Sequence, residues 1–169
     1  MFFKKKEQTT TVEGIQLIKM YEGCPTDEDG NAVAYRCAAN KKTLGFGSLH
    51  LKDGTPVQDG MKITMQEAQE LLEHELVGFE KSVRELIDVE LNDDQFSALV
   101  SFCFNLGSNA LKISTLRKVL NEKQYNEVPD QIRRWNKATV NGEKIVLDGL
   151  VRRRNAEALL FQSKDWRHI

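Results

Sequence analysis

The 169 residues include only three cysteines, Cys24, Cys37 and Cys103. So sparse and odd a set is a poor framework for structural disulfides and fits a reducing compartment. It leaves one local oxidation to consider, because Cys24 and Cys37 flank the same predicted hairpin. No Cys-x-x-Cys or His-x-x-x-His spacing accompanies His50, His74 and His168, so neither a metal nor a cofactor is expected. Excess charge of one sign is also missing. The 24 basic and 25 acidic side chains leave a formal charge of -1, without the global cationic field of a nucleic-acid or anionic-lipid binder. Long hydrophobic runs are absent too: Met1-Phe2-Phe3 gives way to Lys4-Lys5-Lys6, short of the roughly 7–15 apolar residues of a signal peptide. Nowhere is there the run of roughly 18 apolar residues that a spanning helix needs. The expectation is a monomer without a membrane anchor, made and held in a cytoplasm.

What is present, 40% hydrophobic and 29% charged residues, is the balance of one globular domain. We place it over about 10–163, after a short extension, 1–9. Thr10 and Glu13 have capping-box spacing, and Val12, Ile15, Ile18 and Tyr21 predict a helix face, with Gly23 as its stop. Gly30, Gly45, Gly47, Gly54 and Gly60 then punctuate short runs such as Ala32-Val33-Ala34-Tyr35 and Thr43-Leu44-Gly45-Phe46, which predicts a small antiparallel sheet. Thr64 and Glu67 open a long helix carrying Leu71, Leu72, Leu76, Phe79 and Val83. Asn92-Asp93-Asp94-Gln95 opens another, whose Phe96, Leu99, Val100, Cys103 and Phe104 mark it as the core axis. Shorter helices are expected from Ser114, from about Pro129 and from Leu150, with a tight turn at Asn141-Gly142 between the last two. The fold class is α+β and predominantly α: a small glycine-rich sheet beside a helical lobe, with a cleft between.

Glu22 lies at the end of the first predicted helix, where unpaired carbonyls disfavour a second negative charge. A carboxylic acid that keeps its proton near neutral pH is what protonation of a glycosidic oxygen needs. Its surroundings sharpen the reading. Glu22-Gly23 is followed by Ala34-Tyr35-Arg36-Cys37, five residues, and Thr43-Leu44-Gly45-Phe46-Gly47. This pattern resembles the phage-type lysozyme or endolysin family, glycoside hydrolase family 24. Further stretches in the family's order are Gln95-Phe96-Ser97-Ala98-Leu99-Val100, Phe104-Asn105-Leu106-Gly107, Arg134-Trp135, and Gly149-Leu150-Val151-Arg152-Arg153-Arg154 with Glu157.

The resemblance implies a lysozyme-like fold and a muramidase that cuts the β-1,4 bond between N-acetylmuramic acid and N-acetylglucosamine of peptidoglycan for host lysis. It implies Glu22 as acid, Cys37 as the second polar residue and Thr43 as the hydroxyl below it. Without a leader or anchor, access to the wall would need a separate membrane-permeabilising holin. A thiolate at Cys37 can attack the anomeric carbon, or the thiol can help Thr43 hold a water on the face opposite the acid. Asn105 can reach N-acetyl groups or cap its helix. Tyr35, Phe46 and Trp135 offer sugar-stacking surfaces or core packing. Rival readings are a lytic transglycosylase and a wall-binding module without catalysis.

The chain departs from the family's pattern in three places. About six extra residues, roughly Pro25 to Ala32, bring Asp27 or Asp29 forward as a surrogate base. Ser48 stands where the family has histidine, with His50 two positions on. Of the successive arginines 152–154, one, with Arg153 the first choice, is expected to pair with an acidic residue and the others to be solvated, since neighbours on a helix diverge.

Overall fold

Helix α1 (Val12–Glu22) starts two residues later than its sequence pattern suggests, because Thr10 is claimed from elsewhere. In the computed structural model, which describes residues 7–169, the amide and hydroxyl of Thr10 both donate to Oε2 of Glu80, at 2.5 and 2.9 Å. The reading of the apolar trio at Met1-Phe2-Phe3 lies outside the described residues. Thr11 caps α1 instead, its hydroxyl accepting from the amide of Gly14 at 3.3 Å. Glu13 turns away from the expected box to accept from the Trp166 indole at 3.1 Å and pair with Arg167 at 2.8 Å. The buried side of α1 is Gly14, Leu17 and Ile18, whereas Val12 is 72% exposed. Gly23, at φ +67°, ends the helix in a conformation that favours glycine.

The chain forms two compact units, one of residues up to Leu17 with Gly78–Ile169, the other Ile18–Val77. The division falls inside α1 and inside α2 (Met65–Leu86).

In the Ile18–Val77 unit, β1 (Ala32–Val33) pairs antiparallel with β4 (Lys62–Ile63). Strand β2 (Tyr35–Arg36) pairs antiparallel with β3 (Lys42–Thr43), Tyr35 opposite Thr43 and Arg36 opposite Lys42. Thr64 and Glu67 make the expected reciprocal capping box at the start of α2, at 3.0 and 2.9 Å. Ile18, Ala32, Leu44, Phe46, Ala68, Leu71, Leu72 and Leu76 are buried, and each fully buried large aliphatic side chain stabilises by about 1.5–3 kcal/mol. Gly45 lets the following turn lie on α2: a Cβ at this φ +63° residue would sit 3.4 Å from that of Ala68.

The other unit is built around α3 (Asp93–Leu106), whose N-terminus carries the Asn92–Gln95 capping box. Every residue from Phe96 to Cys103 is buried, so this helix is covered on all sides, not on one stripe. Helix α7 (Asp148–Phe161) packs against α3 and α6 (Val128–Arg133). Helix α5 (Thr115–Asn121) takes its cap from Ser114 as expected. Elements that were not anticipated include α4 (Ser108–Ile113), set off by Gly107 at φ +87°, and an antiparallel hairpin of β5 (Lys137–Val140) and β6 (Glu143–Val146). Asn141 and Gly142, at φ +50° and +82°, supply the left-handed pair that a two-residue hairpin turn requires.

The arginine run differs from expectation. Two of the three are buried and share one partner: Arg153 Nε and Arg154 Nε lie 3.2 and 2.8 Å from Glu157, itself buried. Only Arg152 is exposed. Glu157 also accepts from Ser101 Oγ at 2.8 Å, and the Arg154 guanidinium stands over the Phe102 ring at 5.4 Å.

Candidate active site

Glu22 is the last residue of α1, half-buried, with its carboxylate beside Gly47: a Cβ added there would lie 3.6 Å from Glu22 Oε2. Gly47 is exposed and holds φ +105°, a backbone that other residues rarely adopt. The absence of a side chain at this point leaves the approach to the acid open.

The hairpin of β2 and β3 carries the other polar candidates. Side chains on a strand alternate between faces and cross-strand partners share one. Tyr35 and Thr43 are such partners, and Cys37, two residues after Tyr35, falls on the same side. The amide of Cys37 donates to the Lys41 carbonyl at 3.0 Å, and the amide of Asn40, at φ +59°, closes the turn on the Cys37 carbonyl at 2.7 Å. The backbone of Lys41 and the hydroxyl of Thr43 hold the Cys37 thiol below its ordinary pKa. Thr43 is 2% exposed, and its hydroxyl donates to the Lys41 carbonyl at 2.9 Å. Burial pushes the Tyr35 hydroxyl up, and the charges of Glu22, Cys24 and Cys37 push it further. Tyr35 therefore stands within the electrostatic reach of all three. Cys24 and Cys37 are both free thiols.

Other candidates are placed differently. Phe46 is 4% exposed, with the Lys19 ammonium 5.3 Å from its ring centre. Its face is used inside the unit, which corrects the reading of Phe46 as a sugar-stacking surface. Trp135 meets Phe102 edge-on at 5.6 Å and serves packing. Asn105 does not cap α3, since the closing bond runs from the Gly107 amide to the Cys103 carbonyl. Its Oδ1 accepts from Arg154 at 2.9 Å, leaving its amide N–H groups to donate.

Asp27 is corrected as a surrogate base. Its Oδ1 accepts from the amides of Asp29 and Asn31 at 3.0 and 2.9 Å, and Oδ2 meets the Lys62 ammonium at 2.6 Å. Lys62 and the Asn31 amide lower its carboxyl to about 2, far too weak a base to take a proton from water at neutral pH. Asp27 ties the extra loop to β4. Asp29 is exposed.

Sequence reasoning missed Glu75, whose Oε2 accepts from Ser48 Oγ at 3.0 Å. Ser48 in the family's histidine position was the one available signal. Among the described residues, no group of His, Cys, Asp and Glu is arranged to hold a metal ion, and no helix is long and apolar enough to cross a membrane.

Comparison with known proteins agrees with this architecture. An endolysin of Acyrthosiphon pisum secondary endosymbiont phage 1 is 36% identical over 151 residues, covering 89% of this chain and 96% of its own. An endolysin of Salmonella phage P22 is 36% identical over 137 residues, covering 80% and 90%. The solved structure of an endolysin from Escherichia coli O157:H7 phage FAHEc1 superposes with a TM-score of 0.85 at 33% identity, covering 94% and 96%, so the α+β fold is the lysozyme-like one. A model of the family described as phage lysozyme matches residues 19–157, a span that includes the Glu22 helix end, the β2–β3 hairpin and the Arg153–Glu157 cluster, and the chain belongs to that family.

Proposed function

We propose that this chain is a phage muramidase that hydrolyses the β-1,4 bond between N-acetylmuramic acid and N-acetylglucosamine, with Glu22 as general acid. The observation that carries the reading is the placement of Tyr35, Cys37 and Thr43 on one side of the β2–β3 hairpin, with Tyr35 in electrostatic reach of Glu22 and of Cys37. Glu22 gives its proton to the glycosidic oxygen as the bond to the anomeric carbon breaks. A water held by the Cys37 thiol and Thr43 attacks that carbon from the opposite face, and its proton passes to solvent water. Solvent then returns the proton to Glu22. Opposite-face attack inverts the anomeric centre. Tyr35 and the free amide of Asn105 contact the glycan.

The same reading treats 10–163 as one catalytic domain, supported by a family match that runs through both compact units. It has the enzyme act as a monomer, held in the host cytoplasm until a separate holin opens the membrane. Expression with and without such a protein tests the last step: lysis without it overturns holin dependence.

Mass spectrometry of purified peptidoglycan digested by the wild type and by Glu22→Gln tests the chemistry. Reducing muramic ends from the wild type and none from Glu22→Gln are expected, general acid catalysis being worth about 100-fold to 10,000-fold. Anhydro-muramic ends would make the protein a lytic transglycosylase, and no soluble product a binding module. NMR of fresh product reads the anomer: retention with a glycosyl adduct on Cys37 would make Cys37 the nucleophile.

A further inference from the structure

Ser48 is 2% exposed, and its hydroxyl donates to Oε2 of half-buried Glu75 at 3.0 Å. Its backbone closes the turn that begins at Leu44, the two residues exchanging amide-to-carbonyl bonds of 2.9 and 3.0 Å. Within that turn Gly45 rests on Ala68 of α2 and Gly47 stands beside the Glu22 carboxylate. The turn is thus held at one end by its own backbone and on α2 by the contact of Gly45 with Ala68 and the Ser48–Glu75 side-chain bond. Electrostatics place the same groups together. Burial pushes the Glu75 carboxyl up, while the Ser48 hydroxyl and the charges of His74 and His50 draw it down and that of Glu22 pushes it up.

We propose that Glu75, acting through Ser48, is a positioning residue for glycan cleavage: it fixes the Gly45–Ser48 turn so that Gly47 stands at a set distance from the acid. The inference rests on the muramidase reading above. A displacement of about 1 Å at a reacting centre costs up to about 100-fold in rate, so a turn released from α2 affects turnover more than binding. The acceptor oxygen is what matters, since a neutral amide oxygen can take the Ser48 proton as a carboxylate does.

The test measures kcat and KM on purified peptidoglycan for Glu75→Leu, Glu75→Gln, Ser48→Ala and the double variant Ser48→Ala/Glu75→Leu, with thermal unfolding of each. Glu75→Leu and Ser48→Ala are expected to lower kcat about tenfold with KM within about twofold. The double variant is expected to fall no further, because both changes remove one bond. Glu75→Gln is expected to recover most of the lost kcat. Wild-type kcat in folded Ser48→Ala or Glu75→Leu, or Glu75→Gln as impaired as Glu75→Leu, overturns the proposal. Should Glu75→Leu fail to fold, Ser48→Ala decides alone. A wild type that releases no muropeptides defeats the muramidase reading itself, a result distinguishable from these.

Discussion

Gly14 and Ser97 approach so closely that a Cβ built on the glycine would lie 2.6 Å from the Cβ of the serine, and 2.7 Å from Cγ2 of Thr10. Neither neighbour is free to move: Ser97 Oγ accepts the amide of Thr11 at 3.0 Å, and Thr10 is bound to Glu80. Alanine in a helix interior is ordinarily better than glycine by about 1 kcal/mol. Here overpacking at about 1–3 kcal/mol sets the sign. Gly14→Ala should lose stability in urea unfolding, and a gain of stability would show that α1 can shift away from α3.

The three thiols should react in a fixed order. Cys37 is held below the ordinary thiol range, Cys24 is raised by burial, and burial takes Cys103 to about 12. Because the thiolate is the reactive form, iodoacetamide at pH 7.5 should modify Cys37 first, Cys24 more slowly and Cys103 only after unfolding. Peptide mapping against time reads the order directly, and loss of wall-cleaving activity should follow the Cys37 adduct alone.

The Asp27–Lys62 pair should leave a signature in acid. The carboxyl is lowered from 3.8 to about 2 in the fold, so its contribution is present above about pH 4 and is lost as the pH falls through 2. Asp27→Asn keeps an acceptor for the Asp29 and Asn31 amides but removes the charge facing Lys62. The melting temperatures of the two proteins should differ at pH 5 to 7 and converge toward pH 2. Parallel curves over that whole range would refute the assignment.

Glu157 is the shared counter-charge of two buried arginines. Breaking a buried pair by removing one partner costs about 3–5 kcal/mol, since the remaining charge stays in a poor solvent. Glu157→Gln should show a loss of that order in denaturant unfolding, and a loss below about 1 kcal/mol would mean that water reaches the arginines.

Local signals in the chain were readable and distant ones were not. The Thr64–Glu67 and Asn92–Gln95 boxes form as their three-residue spacing predicts because both partners lie in one helical turn. Thr10 and Glu13 have the same spacing and fail, since Glu80, 70 residues away, and Trp166, 153 residues away, compete for them. Periodicity placed the α3 core, but Phe46 lies in the turn after β3, where the motif left sugar stacking and core packing both open and only its burial beside Lys19 decides. Divergence of neighbours on a helix anticipated Arg153 paired with an acid but put Arg154 in solvent with Arg152, which alone of the three is exposed. It could not reveal that α3 and Glu157 bury the other two. Glu22, Cys37 and Thr43 came from a motif of fixed spacing, whereas the Ser48–Glu75 bond joins residues 27 apart on different elements and has no local signature.

The β5–β6 hairpin has almost no inward side. All four residues of β6 and three of the four in β5 are exposed, and Val140, Ile145 and Val146 keep 40, 39 and 52% of their surface in solvent. A segment that buries so little gives up little when it is interrupted, and lengthening a flexible loop costs only about 0.6 kcal/mol per doubling. The Asn141-Gly142 turn is therefore a splice point, where a cell-wall-targeting module or a reporter can be threaded into the chain without touching the packed helices of its own unit.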